Sequence, residues 1–122
     1  MLLTTKGRKS QKMKVTPIGY YRIDDKITLI SGWGKTANWY RNMEAYPNYV
    51  FIQIGFRREH VTPSIIEEKR GILKIIMHLI SQDPKGAKTL LGWDPLQDYL
   101  DNSDFSMILE RALVIQFSPQ KE

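Results

Sequence analysis

Apolar residues keep a period of two through several stretches of the first half of this chain, switch to helical spacing after residue 67, and end in one more strand-like run. Alternation of this kind puts one set of side chains on one face of a sheet. Leu2–Thr5 reads as a short strand, and Gly7 and Ser10 mark a turn. Val15, Pro17, Tyr21 and Ile23 predict a strand over 15–23. Asp24-Asp25 is then a turn, and "KITLIS" is the returning strand of a hairpin. "GWGKTAN" is a loop, and "ANWYRNMEAYP" is a short helix stopped by Pro47, with Trp39, Met43 and Tyr46 on one face and Thr36 or Asn38 as its cap. "YVFIQIGF" and "REHVTPSII" read as antiparallel neighbours, Pro63 marking an edge or a bulge. "EEKRGILKIIMHLISQ" carries acids at its first turn and Ile72, Ile75, Ile76, Leu79 and Ile80 at helical spacing. Residues 83–103 read as two short helical pieces, and "RALVIQF" as a last strand returning to a sheet begun far earlier. The expected fold is α+β, mainly β: a small antiparallel barrel with connecting helices, in one domain over 1–122.

Composition narrows the function. The chain has no cysteine, which removes disulfides, thiolate nucleophiles and cysteine metal sites. No apolar run approaches the roughly 18–20 residues of a membrane helix, and Met1-Leu2-Leu3 is far shorter than a signal peptide's apolar core. A cytoplasmic protein is the default. Net charge is +5, and Lys6, Arg8, Lys9, Lys12 and Lys14 account for all of it, because acids and bases balance over the remainder. A local excess of positive charge points to an anionic partner.

Three stretches could carry chemistry. Five cations around a Gly–Ser turn suit a phosphate or carboxylate ligand, with Arg8 able to pair through two hydrogen bonds. The same run also reads as a solvated hairpin end or a nucleic-acid surface, though it lacks the interleaved aromatics of single-strand binders. In "SGWGKTANWYRN", Ser31, Thr36 and Asn38 offer polar groups beside glycines that allow close ligand approach. Otherwise it is a plain loop and helix start. Tyr20, Tyr21, Trp33, Trp39 and Tyr40 could sandwich a planar ring, or be core and rim. His60 and His78 lie eighteen residues apart without carboxylates at metal-binding spacing, so no metal site is expected. There is no P-loop, no GxGxxG and no G-x-S-x-G elbow. Anion handles without acid–base machinery suit a protein that positions a reactive cofactor.

These residues resemble a known family. "LLTTKGRKSQKMKVTPIGY" is similar to the opening of deazaflavin-dependent nitroreductases, also called F420H2-dependent quinone reductases, with Thr4, Thr5, Gly7, Arg8, Lys9, Ser10, Lys14, Thr16 and Pro17 matching. "SGWGKTANWYRNMEAYP" resembles their second motif through Gly32, Gly34, Trp39, Tyr40, Asn42, Ala45 and Pro47. The family's glycine after G-R-K-S is Gln11 here, an aromatic of some members falls at Gly19, and the N-terminal helix of many members is missing.

The resemblance implies a split β-barrel shared with flavin reductases and FMN-binding proteins. It implies coenzyme F420 in a groove beside the barrel, its phosphate and polyglutamate tail against the basic turn. The cofactor residues it implies are Lys6, Gly7, Arg8, Lys9, Ser10, Lys14, Thr16, Pro17, Gly32, Trp33, Gly34, Lys35, Asn38, Trp39 and Tyr40. Hydride would pass from reduced deazaflavin to a quinone or nitroaromatic acceptor. Ser31, Tyr20 or Tyr21 would hydrogen-bond that acceptor or give it a proton. The same fold and residues suit FMN, and a non-enzymatic lipid or haem carrier is the third reading. Expected partners are a small-molecule acceptor and no nucleic acid, with peripheral membrane contact through quinones and a monomeric or homodimeric state.

Overall fold

The computed structural model describes residues 1–31, 34–86 and 112–120. Seven strands form one antiparallel sheet: β1 (Leu2–Lys6), β2 (Met13–Pro17), β3 (Tyr21–Ile23), β4 (Lys26–Ser31), β5 (Val50–Ile54), β6 (Arg57–Ile65) and β7 (Leu113–Pro119). Among the described residues the helices α1 (Asn38–Ala45) and α2 (Lys69–Gln82) accompany them, with a 3₁₀ turn at Gly34–Thr36 before α1 and residues 84–86 also helical. The two helical pieces expected over 83–103, and Gly32 and Trp33, lie outside the described residues apart from 83–86.

The strand order is β2-β1-β5-β6-β7-β4-β3. The edge strands β2 and β3 are therefore consecutive in the chain, joined only by Ile18, Gly19 and Tyr20. Across a flat seven-stranded sheet the edges would stand about 29 Å apart at the usual strand spacing. Three linking residues reach about 14 Å. The sheet must curl until its edges approach, which makes a split β-barrel. This corrects the single strand expected over 15–23. The period of two persists across the break at Ile18–Tyr20, so alternation alone does not reveal that the chain changes edge.

The turns follow residue chemistry. Asp24 and Asp25 take φ of 53° and 62° between Ile23 and Lys26, a two-residue hairpin with both centres left-handed. Gly55, at φ 61°, opens the turn between β5 and β6. Pro63 lies within β6, a central strand rather than an edge. It is tolerated because pairing with β5 stops at Val61, so at Pro63 the strand's ladder partner is β7.

Alternation puts two cores on the two faces. Inside the barrel, Leu3 neighbours Ile52, Val50 neighbours Val61 and Leu29 neighbours Ile115, with Met43 of α1 plugging one end. Outside, Ile30 and Val114 pack against Ile72, Ile76 and Leu79 of α2. Each such buried side chain contributes about 1.5–3 kcal/mol relative to exposure. Neither helix has a side-chain cap: Ala37 and Glu68 hold the N-cap positions, so the expected cap from Thr36 or Asn38 is not formed. The acids Glu67 and Glu68 precede α2 instead of forming its first turn. Pro47 biases Tyr46 away from helical geometry and ends α1 there.

Candidate active site

The basic turn between β1 and β2 is built by its own backbone. The Gly7 N–H donates to Lys12 O at 2.8 Å, the Gln11 N–H to Gly7 O at 2.8 Å, and the Lys12 N–H to Ser10 Oγ at 3.2 Å. A Cβ on Gly7 would sit 2.6 Å from Ser10 Oγ and 3.2 Å from Lys12 O, so this position needs glycine for space. Gln11 takes φ 63°, the left-handed region that favours glycine. Its side-chain amide donates to the Tyr46 hydroxyl at 3.0 Å, tying the turn to the end of α1.

Arg8 is held by α1. Its backbone N–H and Nη1 both donate to Asn42 Oδ1, at 3.1 and 2.8 Å, and Nη2 donates to Asn38 Oδ1 at 3.3 Å. Asn38 and Asn42 stand one helical turn apart on the same face. The two motifs singled out in the sequence therefore meet at Arg8.

Between them lies a groove of about 520 Å³, lined by Thr5, Gly7, Arg8, Lys9, Ser10, Lys14, Val15, Thr16, Asn38, Trp39 and Asn42. Among the described residues its lining has three cations and no acid. The structure thus gathers Gly7, Arg8, Lys9, Ser10, Lys14, Thr16, Asn38 and Trp39 from the cofactor residues expected from sequence. Thr5, Val15 and Asn42 join them. Asn42 was traceable as the residue four after Asn38 on a helix. Thr5 is fully buried, and among the described residues its hydroxyl has no hydrogen-bond partner.

Other expected residues fall elsewhere. Lys6 points its ammonium at the rings of Tyr49 and Tyr46, 4.3 and 4.7 Å from their centres. Pro17 ends β2 and is exposed. Lys35 and Tyr40 line a second cavity of about 480 Å³, with Ile65, Ile66, Glu67, Lys69, Ile72, Ala112 and Leu113. Gly34 begins the 3₁₀ turn. Of the three acid–base candidates, Ser31 pairs with Leu113 at the end of β4, and Tyr20 lies in the link between the edge strands. Tyr21 packs against the α2 core and donates to Asp83 Oδ2 at 3.3 Å. None of the three lines the groove.

Two tyrosines hold their protons more tightly than usual. Burial raises Tyr21, reinforced by the charge of Asp83 and the hydrogen bond to it. Burial also raises Tyr40, followed by the charge and hydrogen bond of Glu44 and the charge of Glu67.

A split barrel with a cationic groove between a hairpin turn and a helix is a fold class suited to anionic cofactors. Comparison with known proteins is specific: residues 1–83 match the family model described as F420H(2)-dependent quinone reductase, and the chain belongs to that family. It is an F420-dependent oxidoreductase, with coenzyme F420 as its cofactor. No sequence among curated proteins matches it.

Solved structures share the fold. One is an F420-H2 dependent reductase, 21% identical over 94% of this chain and 90% of that one, with a TM-score of 0.56. A second was solved as a domain-swapped dimer, 21% identical over 96% and 78%, with a TM-score of 0.58. A third is a conserved hypothetical protein of Mycobacterium tuberculosis, 14% identical over 98% and 72%, with a TM-score of 0.63.

The groove's donors fit F420. A phosphate and a chain of carboxylates need cations that no acid has neutralised, and among the described residues Arg8, Lys9 and Lys14 line the groove without an acid beside them.

Proposed function

We propose that the groove between the β1–β2 turn and α1 takes the phosphate and glutamate tail of F420, and that the cavity beside Tyr40, with an isoleucine-rich wall and a charged rim, takes a quinone or nitroaromatic acceptor. The carrying observation is Arg8, fixed by two neutral amides in a groove whose described lining residues include no carboxylate. Arg8 binds the phosphate through its remaining guanidinium N–H groups. Lys9 and Lys14 are exposed and hold tail carboxylates, at about 1 kcal/mol or less for each such contact. Trp39 forms a wall of the groove.

When bound and reduced, F420 supplies a hydride. Reduction of a quinone to a hydroquinone then takes that hydride and one proton. The second cavity offers Ile65, Ile66, Ile72 and Leu113 for a flat apolar molecule, and Lys35 and Lys69 as donors to its oxygens. The Tyr40 ring lines the same cavity, while its hydroxyl is engaged by Glu44. This moves the acid–base role from Ser31, Tyr20 and Tyr21 to the groups lining that cavity. Rate enhancement comes from holding cofactor and acceptor in contact and excluding water.

Residues 1–122 act as one domain in this reading, in the cytoplasm. Among the described residues no helix is long and apolar enough to cross a membrane. A homodimer is the assembly to test first, since a structural neighbour was solved as a dimer. Stopped-flow oxidation of reduced F420 by quinones and by nitroaromatics tests the activity. Acceleration over the protein-free rate with either class supports it, and none with both classes refutes it.

A further inference from the structure

We propose that Asn42 is a positioning residue whose neutrality matters: it fixes Arg8 without cancelling the charge that Arg8 offers to the cofactor's phosphate. The inference rests on the placement of F420 proposed above. Asn42 is 7% exposed, and its Oδ1 accepts both the backbone N–H and Nη1 of Arg8. One atom therefore locks the turn's backbone and the guanidinium together. Asn38, one helical turn earlier, takes Nη2.

A carboxylate at 42 would accept the same two hydrogen bonds and strengthen them, since charge-assisted bonds are roughly twice as strong as neutral ones. Fold stability alone would favour aspartate. Ligand binding favours asparagine, because a guanidinium already paired with a carboxylate has lost much of its attraction for a second anion. Among the described residues the rest of the groove's lining also carries no acid, with Asn38, Thr5, Ser10 and Thr16 as its uncharged polar groups. Asn42 thus separates two duties that an acid would merge. It orients the cation and leaves the charge for the ligand.

The test compares native protein, Asn42→Asp and Asn42→Ala. F420 affinity is read by fluorescence titration and fold stability by thermal melting of the ligand-free proteins. Asn42→Asp is expected to melt at or above the native temperature and to bind F420 about tenfold more weakly or worse. Asn42→Ala, which removes the acceptor, is expected to lose both stability and affinity. Asn42→Asp binding like native protein overturns the inference, as does an affinity loss accompanied by a matching loss of stability. If native protein does not bind F420, the cofactor's placement fails on its own. Inorganic pyrophosphate then decides the inference: a melting shift larger in native protein than in Asn42→Asp sustains it, and equal or absent shifts overturn it.

Discussion

The Lys6 ammonium rests 4.3 Å from the centre of the Tyr49 ring and 4.7 Å from that of Tyr46. Of the five clustered cations it is the one that faces aromatic rings, while Arg8, Lys9 and Lys14 line the groove. Lys6→Ala therefore costs fold stability, about 0.5–1 kcal/mol for a partly exposed cation–π contact. It leaves F420 affinity within about twofold, whereas Lys14→Ala lowers that affinity several-fold at low salt. Parallel fluorescence titrations and urea denaturation of the two variants check both statements.

Gln11 occupies left-handed backbone at φ 63°. A non-glycine residue there carries about 1–2 kcal/mol of strain. Glycine relieves it but gains freedom in the unfolded chain and forfeits the exposed hydrogen bond to Tyr46. Gln11→Gly is expected to raise unfolding free energy by about 0.5 kcal/mol. A clear loss of stability in urea denaturation would show that the Tyr46 tether outweighs the strain.

Gly7→Ala pushes a methyl against Ser10 Oγ and Lys12 O. The turn that carries Arg8 must then shift. F420 affinity falls together with stability, by about 1 kcal/mol or more in the latter. The double variant Gly7→Ala, Ser10→Ala recovers part of both, because the nearer of the two clashes is with a side chain. No recovery in melting temperature would place the cost in the backbone.

Alkaline stability depends on Tyr21. Burial, then the charge and hydrogen bond of Asp83, raise its pKa in the folded chain. Above about pH 10 the unfolded chain releases this proton while the folded chain still holds it. The stabilisation is complete below that pH and is lost as pH rises through the raised folded value. Tyr21→Phe is less stable at neutral pH but loses stability less steeply above about pH 10. Parallel pH profiles from chemical denaturation would contradict the assignment.

Much of the fold could be read from local chemistry. Asp24-Asp25 marked a hairpin because adjacent small acids tolerate left-handed backbone, and both residues adopt it. Ile72, Ile75, Ile76, Leu79 and Ile80 marked the apolar face of α2, and all five are buried. What stayed hidden was long-range. Nothing local at Gly19 signals that the chain leaves one edge of the sheet for the other. Arg8 and Asn42 lie 34 residues apart, and only packing of α1 over the turn brings them together. Lys6 and Arg8 are alike in charge, and only the position of Tyr46 and Tyr49 sends the Lys6 ammonium to aromatic rings. Tyr21 stood out as one of five aromatics that could sandwich a planar ring, yet its strand sets it against α2 and outside the groove.

The most direct measurement is a fluorescence titration of F420 into native protein and Arg8→Ala, with melting of both checked beforehand. Charge-assisted hydrogen bonds of about 1.5–3 kcal/mol make the expected loss ten- to a hundredfold or more. Saturable binding by native protein and a loss of that size in the variant is the predicted result. Equal affinities in two folded proteins would contradict the central claim that Arg8 and its asparagine cradle hold the cofactor.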